Sequence, residues 1–136
     1  MDKLNIPNIS CKISAYCQVN SSEDPQKVER AISNVLSNMD IYIKDDSLKA
    51  TSETLESLLY IHKTIHSHNT QKVYGRNLKR NLTDDSTWFY LNKQAAFVDI
   101  ATLCENADES PLGPIKIILQ SKQIENIIDW LISSSQ

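Results

Sequence analysis

Four basic side chains recur at helical spacing between residues 72 and 80. When this segment is wound as an α-helix, they fall within an arc of about 100°. The four are Lys72, Arg76, Lys79 and Arg80. A row of cations on one face of a helix suits phosphate oxygens, which it can hold without reading base sequence. The spacing therefore predicts contacts with the backbone of a nucleic acid.

The surroundings of this row make it stand out from the rest of the chain. Residues 57–83 contain five basic side chains, all three histidines and no acidic residue, whereas the whole chain has a net charge of −3. Such a local concentration of positive charge in an acidic protein indicates a specific anionic partner. The alternatives are a solvated helix face, or one bridged to the acidic residues Glu105, Asp108 and Glu109.

A second candidate contact is the polar trio Asn92, Lys93 and Gln94, which follows an aromatic segment. At the end of a strand these side chains are positioned to reach phosphate, sugar or base edges. The alternative is a turn whose amides satisfy backbone groups. Lys93 is expected to contact the ligand, because it has only donors and no acidic residue lies within five positions of it. Asn92 is expected to be structural.

Other reactive residue types point to packing. His62 and His66 lie four residues apart, yet no third ligand follows at suitable spacing, so packed histidines and no bound zinc are expected. The three cysteines, Cys11, Cys17 and Cys104, are expected to be small buried residues. With two glycines the chain cannot form a phosphate-binding glycine loop. No catalytic residues, metal or cofactor are expected.

Periodicity predicts the elements that position these residues. Strands are expected over residues 8–19, 41–44, 48–50, 87–91, 96–104 and 115–119. Helices are expected from Asp24 as N-cap to about residue 38, from Ser52 to about residue 67, over residues 70–82, and after Ser121. In the aromatic strand, Trp88 and Tyr90 point away from Thr87, Phe89 and Leu91, so one set should be buried and the other near solvent or a helix.

This order predicts the α+β class, with residues 1–136 as a single domain. We expect a mixed or largely antiparallel sheet with helices packed on one face. No apolar run approaches the roughly 20 residues of a membrane span, and the N-terminus lacks a secretion-signal pattern. A cytoplasmic protein is expected.

Four motifs in this order resemble those of a known family. They are Ser22-Glu23-Asp24-Pro25 before a helix, Phe89-x-Leu91-Asn92-Lys93-Gln94-Ala95-Ala96, Pro111-Leu112-Gly113-Pro114-Ile115 and Ile128-Asp129-Trp130-Leu131. The family is an uncharacterised archaeal one of small predicted RNA-binding proteins, sometimes described as exosome-associated. The resemblance implies a fold similar to the ribosomal large-subunit protein that binds 5S ribosomal RNA. Members tend to carry glycine where this chain has Asp99.

Together these observations predict a non-enzymatic RNA-binding protein that holds backbone phosphates on its basic helix. The resemblance adds a connection to RNA processing or ribosome function, with proteins of those systems as possible partners. The alternative is a protein–protein adaptor subunit of an RNA-processing complex. A small enzyme whose site forms only on folding is the third reading. The sequence does not specify the oligomeric state.

Overall fold

Alternating apolar and polar residues in the strands produce an antiparallel sheet. The computed structural model describes residues 6–133. The strands are β1 Lys12–Gln18, β2 Asp40–Lys44, β3 Ser47–Ser52, β4 Ser86–Leu91, β5 Leu103–Cys104 and β6 Ile115–Gln120. Their order in the sheet is β2-β3-β1-β6-β4-β5. The helices are α1 Pro25–Val35, α2 Leu59–Ser67, α3 Gln71–Arg80, α4 Lys93–Phe97 and α5 Ile124–Ile132. None of the helices formed by these residues is long and apolar enough to cross a membrane.

One face of the sheet carries the core. In β1, Ile13 and Ala15 are buried and pair with Leu119 and Ile117 of β6, which are also buried. Side chains that pair across antiparallel strands point to the same face. The apolar stripes of α1, α2, α3 and α5 pack into the same cluster of buried residues. The expected α+β architecture, with helices against one face of the sheet, is confirmed.

The first helix begins as its sequence predicts. The Asp24 carboxylate accepts a hydrogen bond from the Gln26 backbone N–H at 3.0 Å, and Pro25 occupies the first helical position. This arrangement satisfies an N–H that the first turn otherwise leaves unpaired. The cap predicted at Ser52 is wrong, because Ser52 ends β3 and Thr54 caps a 3₁₀ turn, Leu55–Leu58, that precedes α2.

The strand predicted over residues 96–104 is also wrong. Its first residues lie in α4, which begins where the Asn92 side chain accepts from the Ala95 N–H at 2.9 Å. The helix ends at Phe97. Asp99, just beyond the C-cap Val98, has a φ of 66°, and Ile100 N–H donates back to the Ala95 carbonyl at 2.9 Å. This is a Schellman termination. Only Leu103–Cys104 remains as a strand.

Gly75 allows two helices to approach closely. A Cβ at this position would lie 2.9 Å from the Cδ1 of Ile132, at the end of α5. A larger residue would therefore require the end of the Ile132 side chain to move. This contact helps to fix the orientation of α3, whose other face carries the predicted basic row.

Candidate nucleic-acid interface

Helix α3 presents its basic residues to solvent because its opposite face is anchored to the sheet. Thr87 Oγ1 of β4 donates to the Leu78 carbonyl at 2.6 Å, and the Tyr74 ring meets Phe89 edge-on at 5.8 Å. Tyr74 and Leu78 are buried. The members of the predicted row are all exposed, namely Lys72, Arg76, Lys79 and Arg80.

Part of this positive charge is compensated within the protein. Arg76 Nη2 lies 3.0 Å from Glu105 Oε2, and the two side chains are 56% and 40% exposed. Arg80 donates to the Oδ1 of Asn77 at 2.8 Å. The predicted alternative, a bridge to Glu105, is thus present at Arg76. An exposed pair of this kind contributes only about 0–1 kcal/mol, so a phosphate can compete for Arg76.

Lys93 does not lie on the surface, contrary to its predicted role as an RNA contact. Its side chain is 0% exposed, and its ammonium donates to Glu23 Oε1 at 3.0 Å and to the Gln18 carbonyl at 2.8 Å. Burying an ammonium requires a charged partner and further hydrogen bonds. These two hydrogen bonds use two of the three donors of the Lys93 ammonium and join α4 to β1 and to the turn before α1. The expected exposed position of Lys93 is therefore wrong.

The carboxylate of this pair is held in its charged form. Burial by itself would raise the pKa of Glu23, but hydrogen bonds from Asn20 and the Lys93 ammonium outweigh it and lower the pKa below its ordinary 4.5. Glu23 Oε1 accepts from both the backbone N–H and the side-chain Nδ2 of Asn20 at 2.9 Å. Glu23 is therefore ionised at neutral pH.

The other two members of the trio also have structural contacts. Asn92 is the N-cap of α4, as its predicted structural role requires. Gln94 Oε1 lies 3.0 Å from the Ser110 hydroxyl, which in turn accepts from the Lys93 N–H at 3.3 Å. The trio is therefore the cap and first turn of a helix, with Lys93 buried and Asn92 and Gln94 half-buried.

The histidines pack against one another. The ring of His62 stacks on His66 at 4.2 Å and on Trp130 at 4.5 Å between centroids. Burial, and then the neighbouring His66, lower the pKa of His62 below its ordinary 6.5. Within residues 6–133, no three His, Cys, Asp or Glu side chains are grouped as metal ligands. The cysteines are buried and unpaired among these residues.

The open face of the sheet is a further cationic surface, which the sequence did not reveal. It carries Tyr16, Lys49 and Lys116, which are neighbours across strands β3, β1 and β6. A local signal was present only for Trp88 and Tyr90, which were predicted to point to the opposite side of β4 from Thr87, Phe89 and Leu91. The remaining neighbours depend on strand register, which connects residues far apart in sequence.

Comparisons with known proteins place the chain in a family. A family model described as RNA binding matches residues 12–121. A UPF0201 protein of Methanothermobacter thermautotrophicus is 34% identical over 120 residues, with 88% of this chain and 89% of that protein covered. A UPF0201 protein of Sulfurisphaera tokodaii is 35% identical over 124 residues, covering 88% and 86%.

Solved structures agree on the fold. The crystal structure of a UPF0201 protein from Methanococcus jannaschii matches with a TM-score of 0.78 at 21% identity, covering 92% of this chain and 95% of that one. A DUF54 protein from Methanothermobacter thermautotrophicus matches with a TM-score of 0.64 at 14% identity, covering 91% and 99%. The chain therefore belongs to the archaeal UPF0201 family, whose model is described as RNA binding.

Proposed function

We propose that this protein binds RNA without catalysing a reaction on it, and that the basic row of α3 holds backbone phosphates. The observation that carries RNA binding is the family match across residues 12–121. The exposed cations of α3 support the location, because they project from a helix that is fixed to β4 on its other side. Phosphate contacts of this kind supply affinity and orientation and do not select sequence.

Binding at α3 should weaken steeply as salt rises. Each phosphate contact on a single strand contributes roughly −0.7 to the slope of log affinity against log salt. Four contacts therefore predict a slope of about −3. Fluorescence anisotropy with a labelled RNA at a series of salt concentrations measures this slope. An affinity that does not change with salt would contradict the phosphate row.

Charge reversal at the middle of the row provides the matched test. Arg76→Glu should weaken binding most and reduce the slope, whereas Lys122→Glu makes the same charge change at an exposed position outside α3 and should have little effect. Glu105→Gln should strengthen binding, because it frees Arg76 from its ion pair. All three positions are exposed, so stability should change by less than about 0.5–1 kcal/mol.

A protein–protein adaptor is the second candidate, and one observation favours it. Val98 and Ile100, which flank the end of α4, are 64% and 46% exposed. Neighbouring exposed apolar side chains are typical of contact sites for other proteins. Purifying the tagged protein from its own cells with and without nuclease separates the two candidates. RNA that is protected from nuclease supports RNA binding, whereas proteins that remain bound after nuclease treatment support the adaptor.

A further inference from the structure

Tyrosine and lysine alternate in a row across the open face of the sheet. Strand register places Tyr42 of β2 beside Lys49 of β3, Lys49 beside Tyr16 of β1, Tyr16 beside Lys116 of β6, and Lys116 beside Tyr90 of β4. Side chains paired in this way share one face of the sheet. With strands about 4.8 Å apart, the row extends over roughly 19 Å. We call these five residues the tyrosine–lysine row.

The lysines of this row lie against aromatic rings. Lys49 Nζ is 5.7 Å from the centroid of the Tyr16 ring, and Lys116 Nζ is 4.6 Å from that of Trp88. Trp88 precedes Tyr90 by two residues on the same face of β4, and their rings are 5.0 Å apart. Cation–π contacts hold the ammonium groups close to the aromatic surface. The face therefore offers flat rings with positive charges beside them.

The aromatic side chains of this face lie outside the core. Tyr16 is 38% and Tyr42 is 59% exposed, and neither belongs to the buried cluster, which lies on the opposite face. The helices α1, α2, α3 and α5 contribute their apolar stripes to that cluster. The rings of Tyr16 and Tyr42 are therefore accessible to a ligand, and Trp88 and Tyr90 are half-buried.

The middle of the face carries positive charge. Lys12 and Lys44 share the face with the two lysines of the row, but Lys12 lies close to Asp40, Glu53 and Asp85, and Asp45 and Asp46 follow Lys44. The positive charge at the centre of the face is therefore that of Lys49 and Lys116. This excess of positive charge occurs in a chain whose net charge is −3. It makes the face complementary to an anion.

We propose that this face binds single-stranded RNA, with unpaired bases stacked on Tyr16, Tyr90 and Trp88 and phosphates held by Lys49 and Lys116. The inference rests on the proposed RNA binding, but it assigns a different surface from α3 and a specific class of RNA. Aromatic platforms on a sheet, combined with cations, suit unpaired bases. The bases of a duplex stack on one another and cannot reach these rings. A protein partner fits less well, because lysine is depleted from the centres of protein interfaces.

The test measures the affinity of oligouridine of about twelve nucleotides by fluorescence anisotropy. The key variant is Tyr16→Ala/Tyr90→Ala, with Tyr16→Phe/Tyr90→Phe as the form that keeps the rings. Tyr60→Ala is the matched control, because Tyr60 is also 38% exposed but lies on α2. A Trp130→Phe background leaves Trp88 as the fluorescent reporter of the open face. Melting temperatures establish that each variant is folded.

Alanine at both positions should weaken binding at least about 5-fold for each ring lost, equivalent to roughly 1 kcal/mol per stacked base. The phenylalanine variant and Tyr60→Ala should bind like the unmodified protein. Oligouridine should quench Trp88, and an RNA duplex of the same length should compete poorly.

Two results would overturn the inference and leave the proposed function in place. In the first, RNA binding is lost in Arg76→Glu but is unchanged in the alanine double variant. In the second, the double variant keeps its RNA affinity but shifts the sedimentation of the protein from dimer to monomer, which would make the face a self-association surface. If the unmodified protein binds neither single-stranded nor duplex RNA, the proposed function itself is wrong.

Discussion

Lys93 combines a buried charge with contacts to three separate parts of the chain. Its ammonium reaches Glu23 before α1 and the Gln18 carbonyl at the end of β1, while its backbone N–H donates to Ser110. Removing one member of a buried ion pair leaves the other charge without compensation. The residue therefore stabilises the junction between α4 and β1.

Lys93→Ala should lower the free energy of unfolding by about 3–5 kcal/mol, the usual cost of breaking a buried pair. Chemical denaturation monitored by circular dichroism measures this change. RNA affinity, measured where the variant is still folded, should match that of the unmodified protein.

Two further variants make the test specific. Lys93→Met/Glu23→Gln should recover much of the loss, because it removes both charges and keeps an acceptor for Asn20. Lys122→Ala, at an exposed lysine, should change stability by less than about 0.5 kcal/mol. If folded Lys93→Ala bound RNA more weakly and kept its stability, Lys93 would be an RNA contact after all.

Helix α4 illustrates how local capping overrides a strand pattern. The segment over residues 96–104 is mostly apolar, and a strand was predicted there. Asn92 and the left-handed Asp99 satisfy the free backbone groups at the two ends of a helix instead. In the family that the sequence resembles, members tend to have glycine at this position. A glycine there indicates the end of a helix, since glycine favours this backbone conformation.

Asp99→Gly should stabilise the protein by about 0.5–1 kcal/mol, because glycine adopts a positive φ without the steric cost borne by other residues. Asp99→Val should destabilise it by a similar amount or more, since a β-branched residue is least tolerant of this conformation. Thermal melting of the two variants measures both effects. An equal melting temperature for the two would show that α4 does not end in the left-handed conformation.

Elements whose signals are local could be predicted from sequence. The start of α1 at Asp24, the exposed face of α3 and the two faces of β4 each depend on residues within a few positions of one another. The partner of Lys93 could not be predicted from the sequence, because Glu23 lies 70 residues away. The tyrosine–lysine row likewise requires the register of five strands, which tertiary packing fixes. Contacts between residues far apart in the sequence therefore could not be predicted.

The two cationic surfaces lie on opposite sides of the sheet. Helix α3 packs on the core face of β4 through Tyr74 and Leu78, while Trp88 and Tyr90 of the same strand belong to the open face. A short RNA cannot cover both surfaces at once without passing around the sheet edge. Variants of α3 and of the tyrosine–lysine row should therefore have separable effects on short oligonucleotides.

Buried titratable groups throughout the protein predict how its stability depends on pH. Burial lowers the pKa of His62 below 6.5, and the pKa of Glu23 is below 4.5 for the reasons given above. For both groups the unfolded chain binds a proton at a higher pH than the folded protein. The contribution of each group to stability is therefore full above its ordinary pKa and decreases as pH falls. His62 causes the first decrease, below about pH 6.5, and Glu23 causes the second, below about pH 4.5.

The decrease in stability at alkaline pH comes from buried thiols. Burial raises the pKa of Cys11 and of Cys17 from 9.0 to about 11, so the unfolded chain releases these protons at a lower pH than the folded protein does. Their contribution is present below about pH 9 and is lost between about pH 9 and 11. The free energy of unfolding should therefore have a broad maximum between about pH 6.5 and 9.

Chemical denaturation at a series of pH values from about 4 to 11 tests this maximum. His62→Gln should lower stability overall, since it removes the stack on Trp130, and should flatten the decrease immediately below pH 6.5. Cys17→Ala should reduce the loss of stability above about pH 9 and should leave the loss of stability at acid pH unchanged. A stability that continues to rise through pH 10 would contradict the burial of the thiols. If stability decreased below about pH 6.5 to the same extent with and without His62, the decrease would come from other groups, such as Glu23.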